Sequence, residues 1–168
     1  CRWARRRRRD GRAGASCRPT ATTRFADWSV LTVVSKETVA AVRAAASLPS
    51  LRAEWLRPNV VVEGGCAFGE EAWRSVRVGN GGLEVLKRCA RCVECCVDPG
   101  TGRFTKGFEP LATLRKRRGG HYAFLDDRSP HYKREAFMAV NVRPTMDLTL
   151  TIGDVVDAVR GSEVVSRD

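Results

Sequence analysis

The sequence lacks the long apolar segment that a transmembrane helix needs. No run of eighteen apolar residues occurs among the 168 residues, whereas a membrane-spanning helix takes about 20. A secretory signal peptide is not recognisable either. The chain begins with Cys1 rather than Met, so we expect a fragment of a longer protein, with any membrane anchor in upstream sequence.

Histidine is scarce and cysteine is frequent. The two histidines, His121 and His131, are separated by nine residues, which is wrong for a paired zinc-ligand motif. Seven cysteines are an odd number that cannot form a complete set of disulfides, and four of them lie between Cys89 and Cys96. In a reducing compartment, such a cluster indicates metal or redox chemistry.

Positive charge is concentrated at one end of the chain. Eight arginines against Asp10 give residues 1–18 a net charge of +7, which leaves +4 of the total +11 for the remaining 150 residues. Such an arm is able to bind phosphate groups, but it is typical of a solvated, disordered segment. We therefore expect residues 1–22 to be disordered and no nucleic acid to be a partner, with nucleic-acid binding through this arm as a remote alternative.

Hydrophobic patterns predict an α+β domain rich in short strands. Ser35 is expected to cap a helix that ends at Pro49, Pro110 to start a second helix running to Arg118, and 70–73 to form a helical turn. Gly79 to Gly82 predict a hairpin turn. The strands are expected at 28–34, 60–63, 75–78, 83–86, 92–97, 136–142, 148–152 and 155–159. This pattern favours a barrel-like β-rich domain over 23–160, followed by a tail at 161–168.

The cysteine-rich segment Cys89–Cys96 admits three kinds of metal chemistry. Zinc uses four ligands, usually from two C-x2-C pairs, and no second pair occurs. An iron–sulfur motif starts with the same spacing, but Pro99 stands where the fourth cysteine is required. The third possibility is one thiolate ligand beside Arg88 and Arg91, whose charges favour the thiolate, with the vicinal pair Cys95–Cys96 buried as small apolar side chains.

The tripeptide Arg57-Pro58-Asn59 opens the strand expected at 60–63. A stiff proline after Arg57 would hold its planar guanidinium at the start of the strand, a geometry suited to a phosphate. By itself the tripeptide is a weak signal, because a surface arginine is more common than a phosphate-binding one.

Seven short motifs follow one another along the chain. They are Phe25-Ala26-Asp27, Arg57-Pro58-Asn59 with a valine-rich strand, Trp73, Cys89-Ala90-Arg91-Cys92, Val97-Asp98-Pro99-Gly100-Thr101-Gly102, Pro110-Leu111-Ala112-Thr113-Leu114 and Ile152-Gly153-Asp154-Val155. In this order and spacing, residues 23–159 resemble the MOSC domain. Within that family the sequence is most similar to the mitochondrial amidoxime-reducing component group.

The resemblance implies a site for the molybdenum cofactor, a molybdenum–pterin compound. The second cysteine of the Cys-x-Arg-Cys motif is the family's protein ligand to molybdenum, which implies that Cys92 is the metal ligand and catalytic residue. The cofactor-binding residues implied in the same way are Arg57, at the pterin phosphate, together with Asn59, Arg91, Asp27 and Ser29.

The implied activity is the reduction of N-hydroxylated substrates by a molybdenum-dependent oxidoreductase. The resemblance implies a partner protein as the electron donor, either a cytochrome b5-like protein or a reductase, and the mitochondrial outer membrane or the cytoplasm as the location. The alternative is the MOSC domain of a molybdenum-cofactor sulfurase, in which a separate pyridoxal-phosphate domain carries the desulfurase chemistry. In that case, Cys95 and Cys96 would suit a sulfur relay.

One residue and one short segment depart from the family pattern. Val30 stands where a proline is expected, and Met138-Ala139-Val140-Asn141 replaces a Phe-Gly-Val-Asn segment. The family's amino-terminal β-barrel, which supplies further phosphate contacts, is not in this sequence. We therefore expect this chain to hold the cofactor less firmly by itself than a complete member of the family does.

Overall fold

The computed structural model describes residues 29–117 and 135–161. Within them lie six strands and two α-helices. The strands are β1 (Leu31–Ser35), β2 (Val60–Val62), β3 (Trp73–Val78), β4 (Gly81–Arg91), β5 (Ala136–Pro144) and β6 (Asp157–Arg160). The helices are α1 (Lys36–Ala45) and α2 (Leu111–Lys116), and short 3-10 turns cover Ala53–Leu56, Gly69–Ala72, Val93–Cys96 and Lys106–Phe108.

The strands form one sheet, in the order β2-β1-β5-β4-β3-β6, that curls into a half-barrel. β1 and β2 are parallel, with Val33 opposite Val60, because α1 and the segment after it carry the chain back across the sheet between them. The other neighbouring pairs are antiparallel. The expected α+β, barrel-like architecture is confirmed. Helix α2 ends at Lys116, two residues before the expected end at Arg118. The expectations for the arm at 1–22, the tail beyond 161 and both histidines lie outside the described residues.

The two faces of the sheet bury separate apolar clusters. Along β1 the side chains alternate, so Val33 and Val34 belong to different clusters. The cluster that includes the helices and turns consists of Val34, Val39, Val42, Leu51, Trp55, Leu56, Cys95, Cys96, Leu111, Leu114, Ala136, Met138 and Ala139. The cluster on the other face of the sheet consists of Val33, Val62, Val76, Val78, Leu83, Val85, Val140 and Val142. Each fully buried Val or Leu contributes about 1.5–3 kcal/mol, so both faces stabilise the sheet.

Helix α1 begins where the sequence predicts. The side chain of Ser35 accepts a hydrogen bond from the backbone N–H of Thr38 (3.1 Å), as an N-cap does. Glu70 lies fully buried beneath this cap and accepts bonds from the Ser35 hydroxyl (3.0 Å) and the Thr38 hydroxyl (2.9 Å). A buried carboxylate requires such partners, so the cap also ties α1 to the turn that precedes β3.

Strands β4 and β5 pair with an irregularity near their centre. Arg88 is opposite Val140 and Ala90 is opposite Phe137, so β5 uses one more residue than β4 over this interval. Within this interval, Ala139 has a backbone φ of 75°, a value that residues other than glycine rarely adopt. This β-bulge bends β5 and changes the direction of its backbone carbonyls.

The prediction of a strand at 92–97 is wrong. β4 continues through Arg91, and Val93–Cys96 then form a 3-10 turn in which the N–H of Cys95 donates to the carbonyl of Cys92 (3.4 Å). The apolar pattern reflects burial of Cys95 and Cys96 in the core rather than strand pairing. Short apolar runs do not distinguish these two cases.

The strand expected at 148–152 is also wrong. Its backbone bonds to loops instead of a strand, because the N–H of Thr149 donates to the Asn80 side chain (3.1 Å) and that of Thr151 to Asp154 (2.8 Å). The place beside β3 is taken by β6, which begins at Asp157, two residues later than the last expected strand. Without a neighbouring strand, an alternating pattern does not form a ladder.

Candidate functional site

A cavity of about 590 Å³ opens where β4 ends. It is lined by Ser29, Thr32, Trp55, Leu56, Arg57, Asn59, Lys87, Cys89, Ala90, Arg91, Cys92, Glu94, Cys95 and Asn141. Five of the six residues expected at the site are among them: Ser29, Arg57, Asn59, Arg91 and Cys92. The sixth, Asp27, lies outside the described residues. Positions far apart in sequence therefore converge because β1, β4 and β5 are neighbours in the sheet.

Cys92 lies directly after β4 and its side chain is exposed. Cys92 stands between the last residue of β4, Arg91, and the first residue of the 3-10 turn, Val93. Its backbone carbonyl accepts a hydrogen bond from the Cys95 thiol (3.1 Å). Cys95 and Cys96 are buried, and burial raises the pKa of Cys95 to about 12. Their expected role as small apolar side chains is consistent with this burial. Of the three cysteines that line the cavity, Cys92 is exposed, Cys89 is half-buried and Cys95 is buried.

The described residues contain no group of three or more His, Cys, Asp or Glu side chains placed to share a metal ion. Four-ligand zinc and a cysteine-bound iron–sulfur cluster both need such a group. A single thiolate that completes the coordination of a metal held by another ligand does not need one.

Arg91 is fixed by the backbone around it. Its Nε donates to the carbonyl of Met138 (2.9 Å) and its Nη1 to the carbonyl of Leu56 (2.9 Å). Its Nη2 is buried without a hydrogen-bond partner. A buried N–H group without a partner is costly, so an acceptor that reached this nitrogen would be bound favourably.

Arg57 directly follows Leu56, the residue whose carbonyl accepts a hydrogen bond from Arg91. Its backbone has a left-handed conformation (φ 50°). Such a conformation is rare for a residue with a side chain and is concentrated at functional sites. Its guanidinium is largely exposed and lies 3.6 Å from the carboxylate of Glu94. The expected phosphate-binding side chain therefore reaches the cavity, already paired with an acid.

Asn59 and Ser29 line the cavity but also hold the backbone together. The side-chain oxygen of Asn59 accepts from the N–H of Thr32 (2.8 Å), and the Asn59 N–H donates to the Thr32 carbonyl (2.9 Å). The Ser29 hydroxyl donates to the carbonyl of Leu31 (2.7 Å). Because Asn59 bridges β1 and the start of β2, it positions the neighbouring Arg57.

Four further polar or charged residues line the cavity that the sequence did not single out as site residues: Thr32, Lys87, Glu94 and Asn141. Thr32 donates through its hydroxyl to the side-chain oxygen of Asn141 (3.1 Å). Asn141 is 4% exposed. The sequence carries a signal for Asn141, because it is a polar residue within the apolar run of β5. A buried amide requires hydrogen-bond partners, so such a residue indicates a polar site.

The expectation that Arg88 lies beside the Cys92 thiolate is wrong. Arg88 does not line the cavity; its guanidinium lies 4.0 Å from the Glu71 carboxylate and 4.3 Å from the ring centre of Phe137. Successive side chains of a strand point to opposite faces, and the bulges in β4 and β5 determine which residues face the cavity. Glu71 also accepts two bonds from Arg117 (3.0 and 3.2 Å), and burial raises its pKa.

The chemistry of the lining fits a molybdenum–pterin group. An accessible thiol suits a soft, redox-active metal, and guanidinium groups suit a phosphate. The buried, unpartnered Nη2 of Arg91 adds a donor with no acceptor in the protein. Cys92, Arg57 and Arg91 would hold such a group, with Lys87 contributing further positive charge.

Known proteins resemble parts of this chain. Mitochondrial amidoxime reducing component 2 of Bos taurus is 42% identical over 62 residues, which are 37% of this chain and 18% of that protein. Mitochondrial amidoxime-reducing component 1 of Homo sapiens is 30% identical over 101 residues, 60% of this chain and 29% of that protein. Molybdenum cofactor sulfurase of Arabidopsis thaliana is 37% identical over 62 residues, 37% of this chain and 8% of that protein. The matched regions span less than a third of each relative.

The broader classification comes from a comparison with whole families. The sequence model described as the MOSC domain matches residues 20–157, which include every residue that lines the cavity. This match confirms the resemblance carried by the seven motifs, and the chain belongs to the MOSC domain family.

Proposed function

We propose that this chain binds the molybdenum cofactor in the cavity at the end of β4, with Cys92 as the protein ligand to the metal. The observation that carries the proposal is the exposed Cys92 thiol in the same cavity as Arg57, Lys87 and Arg91. A soft thiolate and several cations in one open cavity match a ligand that combines a soft metal with a phosphate.

Each lining residue has a distinct role in this proposal. Cys92 contributes its sulfur and is a ligand rather than a nucleophile. Arg57 binds the phosphate, and Arg91 donates from the nitrogen that has no partner in the protein. Asn59 orients the segment that carries Arg57, through its two bonds to β1. Asp27 and Ser29 are proposed to border the bound group.

We further propose that the domain belongs to an oxidoreductase that reduces N-hydroxylated substrates. The cofactor would supply a redox-active metal for one-electron uptake and for reduction of the substrate's N–O bond, and Cys92 would hold that metal. The electrons would come from a partner protein, either cytochrome b5-like or a reductase. Two relatives named as amidoxime-reducing components support this activity.

Those same two relatives are named as mitochondrial, which supports a mitochondrial location, with the cytoplasm as the alternative. Within residues 29–117 and 135–161, no helix has both the length and the apolar character required to cross a bilayer.

A sulfurase domain is the second candidate, because a molybdenum cofactor sulfurase is among the relatives. In that role the domain would bind the cofactor or relay sulfur beside a pyridoxal-phosphate domain. The structure disfavours Cys95 and Cys96 as sulfur carriers. Both thiols donate to backbone carbonyls (3.1 Å each), and burial raises the pKa of Cys95 to about 12. A reactive sulfur carrier is a thiolate with solvent access.

The test is the molybdenum content per chain of the full-length protein, with zinc and iron measured in the same sample. We expect close to one molybdenum per chain, lost in Cys92→Ala and kept in Cys66→Ala, which removes an exposed thiol outside this cavity. Stoichiometric zinc or iron, or molybdenum that Cys92→Ala leaves unchanged, would contradict the proposal. Reduction of an amidoxime by the loaded protein then separates the reductase from the sulfurase.

A further inference from the structure

Glu94 is the one carboxylate among the described residues that line the cavity. It shares the lining with three cationic side chains, those of Arg57, Lys87 and Arg91. An acid in a cavity proposed to bind a phosphate is unexpected, because it repels the ligand. Its position therefore calls for a physical account.

Glu94 and Arg57 form a loose ion pair at the mouth of the cavity. Their side chains are 69% and 68% exposed, and the closest oxygen and nitrogen are 3.6 Å apart. Pairs of this kind contribute about 0–1 kcal/mol, so an incoming anion is able to displace the carboxylate. The backbone of Glu94 lies in the 3-10 turn after Cys92, which keeps the carboxylate close to the cavity when it leaves Arg57.

Arg91 differs from Arg57 in how its charge is balanced. The hydrogen bonds of Arg91 go to two backbone carbonyls, which are neutral. Its positive charge therefore remains available to a ligand, whereas that of Arg57 is opposed by Glu94. Arg57, the arginine expected at the phosphate, is therefore the one of the two that is paired with an acidic side chain of the protein.

We infer that Glu94 is an internal competitor for Arg57, and so a residue that sets the affinity of the cavity for phosphate groups. This inference rests on the proposed function, in which Arg57 binds the phosphate of the ligand. A phosphate must replace the carboxylate of Glu94 on Arg57 and tolerate its charge nearby. This cost affects a free phosphate most, since it has no other contacts to offset it. Glu94 thereby favours ligands that also bind elsewhere in the cavity, such as at Cys92.

The experiment measures binding of inorganic phosphate to the full-length, cofactor-free protein by calorimetry. For Glu94→Gln we expect a dissociation constant about three- to fivefold lower than that of the wild type, the upper end of what an exposed ion pair contributes. The matched control is Glu63→Gln, which removes the same charge from an exposed pair with Lys36 outside this cavity. Its effect should stay within about twofold, since Glu63 does not line the cavity and salt screens its charge from a phosphate bound there.

A double-mutant cycle with Arg57→Ala isolates the competition from a general effect of charge. In the Arg57→Ala background, Glu94→Gln should no longer tighten binding by the factor seen with Arg57 present. Thermal unfolding of each variant checks that the fold is intact. An equal gain in both backgrounds, or no gain at all, overturns the role of Glu94. If Glu94→Gln has no such effect but Arg57→Ala weakens phosphate binding, the proposed phosphate-binding role of Arg57 stands without the role of Glu94. Failure of both wild type and Glu94→Gln to bind phosphate overturns both.

Discussion

The Nε of Arg91 donates to the backbone carbonyl of Met138 across 2.9 Å. Met138 directly precedes Ala139, whose positive φ belongs to the bulge in β5. On its other side, Arg91 donates to the carbonyl of Leu56, the residue before Arg57. One guanidinium therefore connects the bulge, the Arg57 segment and the end of β4, while its Nη2 remains without a partner.

Replacing Arg91 by lysine should weaken both the fold and anion binding, although the charge is kept. An ammonium cannot reproduce the planar fork that reaches both carbonyls, so we expect a loss of about 2 kcal/mol in the free energy of unfolding. Denaturant unfolding and phosphate titration would measure the two effects. Arg103→Lys, in the exposed turn after Asp98, is the control. If Arg91→Lys behaves like this control, the fork geometry is unimportant.

The buried carboxyl of Glu71 should make stability depend on pH. Burial raises its pKa above the ordinary value of 4.5, although Arg117 and Arg88 oppose this shift. The folded state then holds the proton more tightly than the unfolded chain does, so the free energy of unfolding falls as pH rises from 4.5 to the raised pKa.

Glu71→Gln removes this titrating group and should remove its share of the pH slope, which is at most about 1.4 kcal/mol per pH unit. Urea unfolding across a pH series that starts near the ordinary glutamate pKa would compare the two proteins. Glu84→Gln, which alters a partly exposed pair with Arg143, is the control. Parallel curves for wild type and Glu71→Gln would contradict a raised pKa.

Gly79 should tolerate no side chain. Its φ is +57°, and a Cβ there would lie 2.6 Å from the backbone carbonyl oxygen of Thr149. We expect Gly79→Ala to lower the free energy of unfolding by about 2–3 kcal/mol, through both strain and collision. In Gly102→Ala, φ is also positive but a Cβ meets nothing within 4 Å, so about 1 kcal/mol is expected. Equal losses would show that the contact with Thr149 adds nothing.

The cysteines should differ sharply in their reaction with an alkylating agent. Cys92 and Cys66 are exposed, whereas Cys95 and Cys96 are buried and donate to backbone carbonyls. Because the thiolate is the reactive form, we expect the exposed pair to react in the native protein and the buried pair only after denaturation. Mass spectrometry of the labelled peptides distinguishes them. Rapid labelling of Cys95 would mean that the 3-10 turn opens, and a sulfur relay would then regain support.

Local signals in the sequence were enough to predict several elements. Ser35 caps α1 as expected, because an N-cap acts within one turn of the chain. The hairpin between β3 and β4 turns at Gly79 and Asn80, with Val78 paired to Gly81, because a glycine-rich turn depends on its own backbone angles. The seven motifs likewise identified the family, since their order is a property of the sequence alone.

The failures have a common cause in packing between distant segments. The apolar character of 92–97 came from the burial of Cys95 and Cys96 in the core, and the alternation at 148–152 found no neighbouring strand. Arg88 was expected beside Cys92, but register and bulges direct it to Glu71. None of these outcomes depends on local propensity, so local patterns did not reveal them.

By itself, the sequence determined which residue types the site contains and the order in which they occur. It identified Arg57, Asn59, Arg91 and Cys92 as site residues through motifs, and all four line one cavity. Only the tertiary structure decided which cysteines are accessible, which arginines line the cavity and which carbonyls hold Arg91. Those properties arise from strand order, register and the bulge at Ala139, which are fixed by contacts between residues far apart in the chain.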